Sequence, residues 1–163
     1  MKIKTRLWLS LSIIAALLAS IYPLPEVLSP WRPEWCLIVL CSWCLTYHKP
    51  WMVAVTWFTG ILLDTMRITP LGVHAFALTA AIMLFLTWQV RIRNQPLWQN
   101  MAAFIIISII YYGLLWLIGS IIGRSTQPYL PWSSLPAGFL FWFCIQFACQ
   151  KLSNENRYSY NDS

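Results

Sequence analysis

The chain is built of long apolar runs separated by short polar or proline-rich breaks. The first run, Leu7–Tyr22, follows Lys2, Lys4 and Arg6, and Pro23, Pro25, Pro30 and Pro33 end it. A second stretch runs from Trp35 to Leu63 and is interrupted by His48-Lys49-Pro50. Three more follow, Pro70–Val90, Leu97–Ile122 and Leu135–Cys149. A bilayer core of about 30 Å takes about 20 apolar residues per helix. The pattern therefore predicts five membrane helices, or six if residues 48–50 split the second stretch. The first run also has the basic and apolar regions of a signal peptide. A signal peptidase needs small residues at −3 and −1, but Ala19 at −1 places Leu17 at −3, and Ser20 places Leu18 there. An uncleaved first helix is the expectation.

Charge separates the two counts. With six helices and the N-terminus inside, Lys2, Lys4, Arg6, Lys49, Arg91, Arg93, Lys151 and Arg157 face the cytoplasm. Arg32, Arg67 and Arg124 face outward, so the 11 basic residues split eight to three. Five helices give five on each side and strand Lys49 in mid-membrane, at a cost of roughly 2.5–3.5 kcal/mol. The positive-inside bias favours six. The expected helices are about 7–22, 33–47, 50–66, 70–90, 97–122 and 135–150. They form an all-α, integral six-helix transmembrane bundle with both termini cytoplasmic. It is one domain, 1–152, followed by a polar tail, 153–163, that reads as cytoplasmic and unstructured. Helices two and three are short, about 22–26 Å each, and Pro33 and Pro50 suit their first turns.

Composition agrees. Of 163 residues, 59% are hydrophobic and 10% charged, against about 25% charged in an average soluble domain. A chain this short cannot hide so much apolar surface from water, which argues against a soluble enzyme, a nucleic-acid-binding domain or a disordered protein. The eleven tryptophans fit membrane–water interfaces. The net charge of +6 comes from singly scattered residues and reads as a topology signal.

Small residues mark helix contacts. Ser12, Ala16 and Ser20 recur at four-residue spacing, Gly72, Ala75 and Thr79 share one side of helix four, and Gly119 and Gly123 end helix five. Internal packing is the expectation for each, with Gly72 letting helix four approach its neighbour closely. Cys36-x₄-Cys41-x₂-Cys44 matches an iron–sulfur spacing. It lies in an apolar helix, which cannot wrap a cluster, so free thiols are expected. No metal, cofactor or catalytic constellation is predicted. The ionisable residues near the membrane are Glu34, His48, Asp64, Arg67 and His74. Asp64 and Arg67 read as an interfacial ion pair that fixes the turn between helices three and four. The sharper reading is a proton or ligand site within the bundle. Asp64, His74, Thr79, Gln89 and Gln146 are the few polar groups available to line a cavity. The outer segments carry Trp31 with Arg32 and Tyr129 with Trp132, residue types enriched at interface hot spots. Anchoring at the outer leaflet is the alternative for these aromatics.

Four segments occur in a fixed order: Arg32-Pro33-Glu34-Trp35, Gly60-Ile-Leu-Leu-Asp64, Pro70-Leu-Gly-Val-His-Ala75, and Leu97-Trp98-Gln99 after the basic turn Arg91–Arg93. The ordered set resembles the bacterial rod shape-determining protein family MreD over about residues 6–152. The segment Thr65–Pro70 departs from the small Ser/Gly-rich turn many members have there. The resemblance implies a non-enzymatic inner-membrane subunit of the cell-elongation machinery. Its implied partners are MreC, MreB filaments, RodA and the paired penicillin-binding transpeptidase. It also implies a fold similar to the substrate-binding subunits of vitamin-uptake (ECF-type) transporters. Two function classes follow: a scaffold that binds MreC, and a small-molecule- or lipid-binding membrane subunit.

Overall fold

A computed structural model describes residues 3–22, 25, 32–46, 50–92, 97–123 and 134–161. The described residues form six helices and no strand: α1 (Ile3–Ile21), α2 (Trp35–Thr46), α3 (Trp51–Met66), α4 (Val73–Ile92), α5 (Leu97–Ile121) and α6 (Ser134–Asn161). The second apolar stretch is thus two helices, as the charge argument required. Pro50 is the N-cap of α3 at φ −62°. Proline's ring fixes this angle, and its missing N–H costs nothing at a helix start. His48 lies outside the described residues.

Three boundaries differ from expectation by three residues or more. α1 begins at Ile3 rather than Leu7, since Ile3–Arg6 holds no glycine or proline to stop a helix. α4 begins at Val73 rather than Pro70, because Gly72 sits at φ +101°, outside helical geometry. α6 continues to Asn161, so most of the polar tail is helical rather than unstructured. After Gly138 that segment contains no glycine or proline to stop a helix.

α2 is apolar all round, as a buried helix must be. Cys36, Leu37, Ile38, Leu40, Cys41 and Cys44 are each at most 1% exposed. It touches α1, α3, α4 and α6, while α4 touches α2, α3 and α5. α2 is therefore the innermost helix, and α4, whose Ala77, Leu78, Ala81, Ile82 and Phe85 are fully buried, packs against it. Between α4, α5 and α6, Trp142 is fully buried, stacked on Phe104 at 4.5 Å with its edge against Phe85. The small-residue seam of α1 packs on α2 as expected. Trp43 Nε1 donates to Ser12 Oγ at 2.8 Å, Ser20 Oγ lies 3.7 Å from Cys36 Sγ, and Ala16 is buried.

The outward faces are apolar as well. Trp8, Leu11 and Leu18 on α1, Phe58 and Leu62 on α3, Ile106 and Trp116 on α5, and Leu140 and Phe147 on α6 are all exposed. Among the described residues only α5 carries a span long and apolar enough to cross a membrane by itself, Trp98–Ile121. The others hold shorter apolar stretches such as Trp35–Leu45 and Trp51–Met66.

Candidate functional site

Four charged residues, Arg32, Glu34, Asp64 and Arg67, gather at one end of the bundle, where α1 and α3 stop and α2 and α4 start. α3 ends in a left-handed cap. Arg67 N donates to Leu63 O at 2.9 Å and Thr69 N to Asp64 O at 3.1 Å, with Ile68 between them at φ +54°. The bond back to the third residue from the helix end closes a Schellman-type stop. Glycine normally holds the left-handed position, and a β-branched residue there is an outlier.

This stop leaves the Asp64 side chain facing the first turn of α4. Oδ1 accepts from His74 N at 2.9 Å, His74 Nδ1 at 2.8 Å and Thr69 Oγ1 at 2.9 Å. Oδ2 accepts from Gly72 N at 2.9 Å and Ala75 N at 3.3 Å. A helix start has N–H groups with no intrahelical partner and a partial positive charge. Asp64, fully buried, answers both from the preceding helix. It is the cap of α4, supplied by the last turn of α3.

Arg67 does not pair with Asp64, contrary to the sequence expectation. Its guanidinium turns to Glu34, just before α2, in a two-pronged pair: Nη1 to Oε1 at 2.9 Å and Nη2 to Oε2 at 3.1 Å. This fork geometry is the strong form of an ion pair. Three residues of separation made Asp64 the obvious sequence partner, but the Schellman stop sends the two side chains in different directions. Arg67 Nη1 also lies 3.2 Å from His74 Nε2. Arginine has no acceptor, so Nε2 accepts this bond and Nδ1 carries the proton given to Asp64. The hydrogen-bond network thereby assigns His74 the neutral Nδ1–H tautomer. The resulting chain is Glu34–Arg67–His74–Asp64–α4, and it ties three helices together.

Arg32 extends the cluster to α1. Its Nη2 donates to Tyr22 O at 2.8 Å and Ala19 O at 3.2 Å, the carbonyls with which α1 ends. A cation at a helix C-terminus is favourable. Two cations (Arg32, Arg67) and two anions (Glu34, Asp64) leave the cluster without net charge.

Of the residues singled out by sequence, the structure brings Arg32, Asp64, Arg67 and Gly72 into this cluster. Trp31, Tyr129 and Trp132 lie outside the described residues. Gly72 has a different job from the one expected. A Cβ there would meet nothing within 4 Å, so close approach is not its role, whereas its φ of +101° and its N–H to Asp64 both matter. The close approach belongs to Gly60, where a Cβ would fall 2.3 Å from Ala75 Cα and 2.7 Å from Ala75 N. Sequence reasoning noted Ala75 and passed over its partner. Glu34 was likewise seen but not joined to Arg67, 33 positions away.

A small cleft lies beside Glu34. Leu37 and Ile38 on α2, Ser108 and Tyr112 on α5, and Ser134 on α6 line it, and Ser134 Oγ donates to Tyr112 OH at 2.8 Å. Its free volume of about 10 Å³ holds about one water.

No solved structure matches the chain. The family model for rod shape-determining protein MreD matches residues 1–152 of the 163. That match spans all of α1–α5 and most of α6, including the whole Arg32–Glu34–Asp64–Arg67–His74 cluster, and the chain belongs to the MreD family, whose role is rod-shape determination.

Proposed function

We propose that this chain is a multi-pass, non-enzymatic subunit of the bacterial inner membrane. It binds MreC and through it helps couple MreB filaments to peptidoglycan synthesis by RodA and its paired transpeptidase. The observation that carries this reading is the family match over residues 1–152. The outward faces support the membrane part: aromatic and aliphatic side chains on α1, α3, α5 and α6 would each oppose solution in water, and lipid removes that penalty. All six helices span in this reading. α2, only about 18 Å long, is shielded by its four neighbours rather than by length.

Such a chain acts through helix faces and short loops. Trp31, Tyr129 and Trp132 in the outer segments are the contacts proposed for MreC. Arg32 sits beside Trp31, but its guanidinium is committed to α1, which makes it a positioning residue for that segment. The cleft beside Glu34 is far smaller than the several hundred Å³ of a small-molecule pocket, so it lends the ligand-binding alternative no support.

The test is recovery of MreC with the affinity-tagged chain from solubilised membranes. Wild type should recover MreC. Trp31→Ala and the double variant Tyr129→Ala, Trp132→Ala, at matched membrane abundance, should recover less. Unchanged recovery in both would move the interface to the helix faces. No recovery by wild type would contradict the scaffold function.

A further inference from the structure

The turn between α3 and α4 has its polarity inside out. Turns in water present polar side chains and unpaired backbone groups to solvent. Here the turn's own polar side chains face inward. Thr69 Oγ1 donates to Asp64 and Arg67 to Glu34 and His74, while Thr65, in the last turn of α3, is exposed with its Oγ1 donating back to Leu62 O. The backbone N–H groups of Arg67, Thr69, Gly72, Val73, His74, Ala75 and Phe76 have protein acceptors, while those of Ile68 and Leu71 have none among the described residues. The residues that point outward are apolar: Ile68 is 89% exposed and Leu71 72% exposed. They continue a stripe that Phe58, Leu62 and Met66 draw along the exposed face of α3 at four-residue spacing.

Inward-turned polar side chains beneath an apolar exterior suit the interfacial layer of a bilayer, where Ile68 and Leu71 side chains reach lipid while their N–H groups still meet water. We propose that the α3–α4 turn is immersed in the outer surface of the bilayer, with Ile68 and Leu71 seated among lipid chains. The occupant of this surface is lipid because the surface continues the lipid-facing stripe of α3 with no exposed charge, and the one exposed hydroxyl beside it, on Thr65, is bonded to Leu62 O. Immersion also accounts for α3, about 24 Å long, meeting a bilayer core of about 30 Å: the turn supplies the missing depth. Ile68 then keeps its left-handed backbone in exchange for an apolar contact that glycine would not make. The inference rests on the reading that α3 and α4 span the membrane.

Nitroxide labels at Ile68→Cys and Leu71→Cys test it, with Phe58→Cys as the mid-helix reference. Cys144 and Cys149 are first replaced by alanine, while Cys36, Cys41 and Cys44 are buried in α2. After reconstitution into phospholipid bilayers, collision with oxygen, which concentrates in lipid, is compared with collision with a water-soluble nickel chelate. The inference expects oxygen to dominate at all three sites, more strongly at 58 than at 68 and 71. Nickel dominating at 68 and 71 while oxygen dominates at 58 would overturn the immersed turn and leave the spanning helix intact. Nickel dominating at 58 as well would overturn both.

Discussion

Ile68 and Asp64, four residues apart, show how single side chains set this end of the bundle. A left-handed backbone costs an L-residue about 1–2 kcal/mol, and Ile68 makes no compensating contact within the protein at 89% exposure. Ile68→Gly should raise the unfolding free energy of the detergent-purified protein by roughly 0.5–1 kcal/mol, after allowing for glycine's extra chain entropy, as read from denaturant titration. Asp64 is the opposite case. An exposed ion pair would be worth about 0–1 kcal/mol, and that is what the sequence expectation of an interfacial pair implies. The buried cap implies more. Asp64→Asn places an amide N–H₂ against N–H donors, and an unmatched buried polar group costs about 1–3 kcal/mol. Asp64→Asn should therefore lose about 2–4 kcal/mol and should release α4's first turn to amide exchange. A loss below 1 kcal/mol with unchanged exchange would show that the cap is dispensable.

Between elements, two glycines that look alike in sequence behave differently. At Gly60 the obstacle is the backbone of Ala75, so cost should grow with side-chain size: Gly60→Ala by about 1–3 kcal/mol and Gly60→Leu enough to abolish folded protein. At Gly72 space is open and the obstacle is φ, so Gly72→Ala and Gly72→Leu should cost alike, about 1–3 kcal/mol. Thermal midpoints of Gly60→Ala, Gly72→Ala and Gly72→Leu, with the folded yield of Gly60→Leu, separate the two mechanisms. Glu34 and Arg67 join α2 to α3 through a fork only 13% and 19% exposed. A double-mutant cycle with Glu34→Gln and Arg67→Gln should give a coupling of about 1–3 kcal/mol. Arg67→Lys should recover little of it, because an ammonium cannot form the fork. These contrasts mark what the sequence made legible. The helices were legible because apolar runs, prolines and basic residues are each local signals, and the break at Pro50 needed only the stranded Lys49 to be recognised. Asp64, Arg67 and Gly72 were legible as members of a site. Their partners were not. Glu34 meets Arg67, and Gly60 meets Ala75, only once α3 has docked on α2 and α4. Which carboxylate Arg67 takes depends on the backbone path through Ile68, a left-handed residue that no residue-type preference announces.

At the scale of the molecule, the cluster of four balanced charges ties α1, α2, α3 and α4 at one end, while the faces turned outward along the bundle are apolar. In the proposed membrane arrangement that end is the outer one, and the two basic segments around Lys49 and Arg91–Arg93 lie at the other. In that arrangement the hydrogen-bonded cluster is at the same end as the proposed MreC contacts Trp31, Tyr129 and Trp132, and a partner docking on an ordered surface loses less entropy than on a loose loop. Loss of the chain should turn rod-shaped cells into spheres, and an Asp64→Asn variant that folds poorly should do so in proportion to its reduced abundance. The arrangement as a whole stands or falls on topology. Single cysteines at His48, Arg93 and Ser153, and at Ser29 and Ser125, in a background whose reactive native thiols are removed, can be labelled with a membrane-impermeant maleimide on intact spheroplasts and again after lysis. The account predicts labelling of Ser29→Cys and Ser125→Cys on intact spheroplasts, and of His48→Cys, Arg93→Cys and Ser153→Cys only after lysis. Labelling of Arg93→Cys or Ser153→Cys on intact spheroplasts would contradict the six-span bundle with both termini in the cytoplasm.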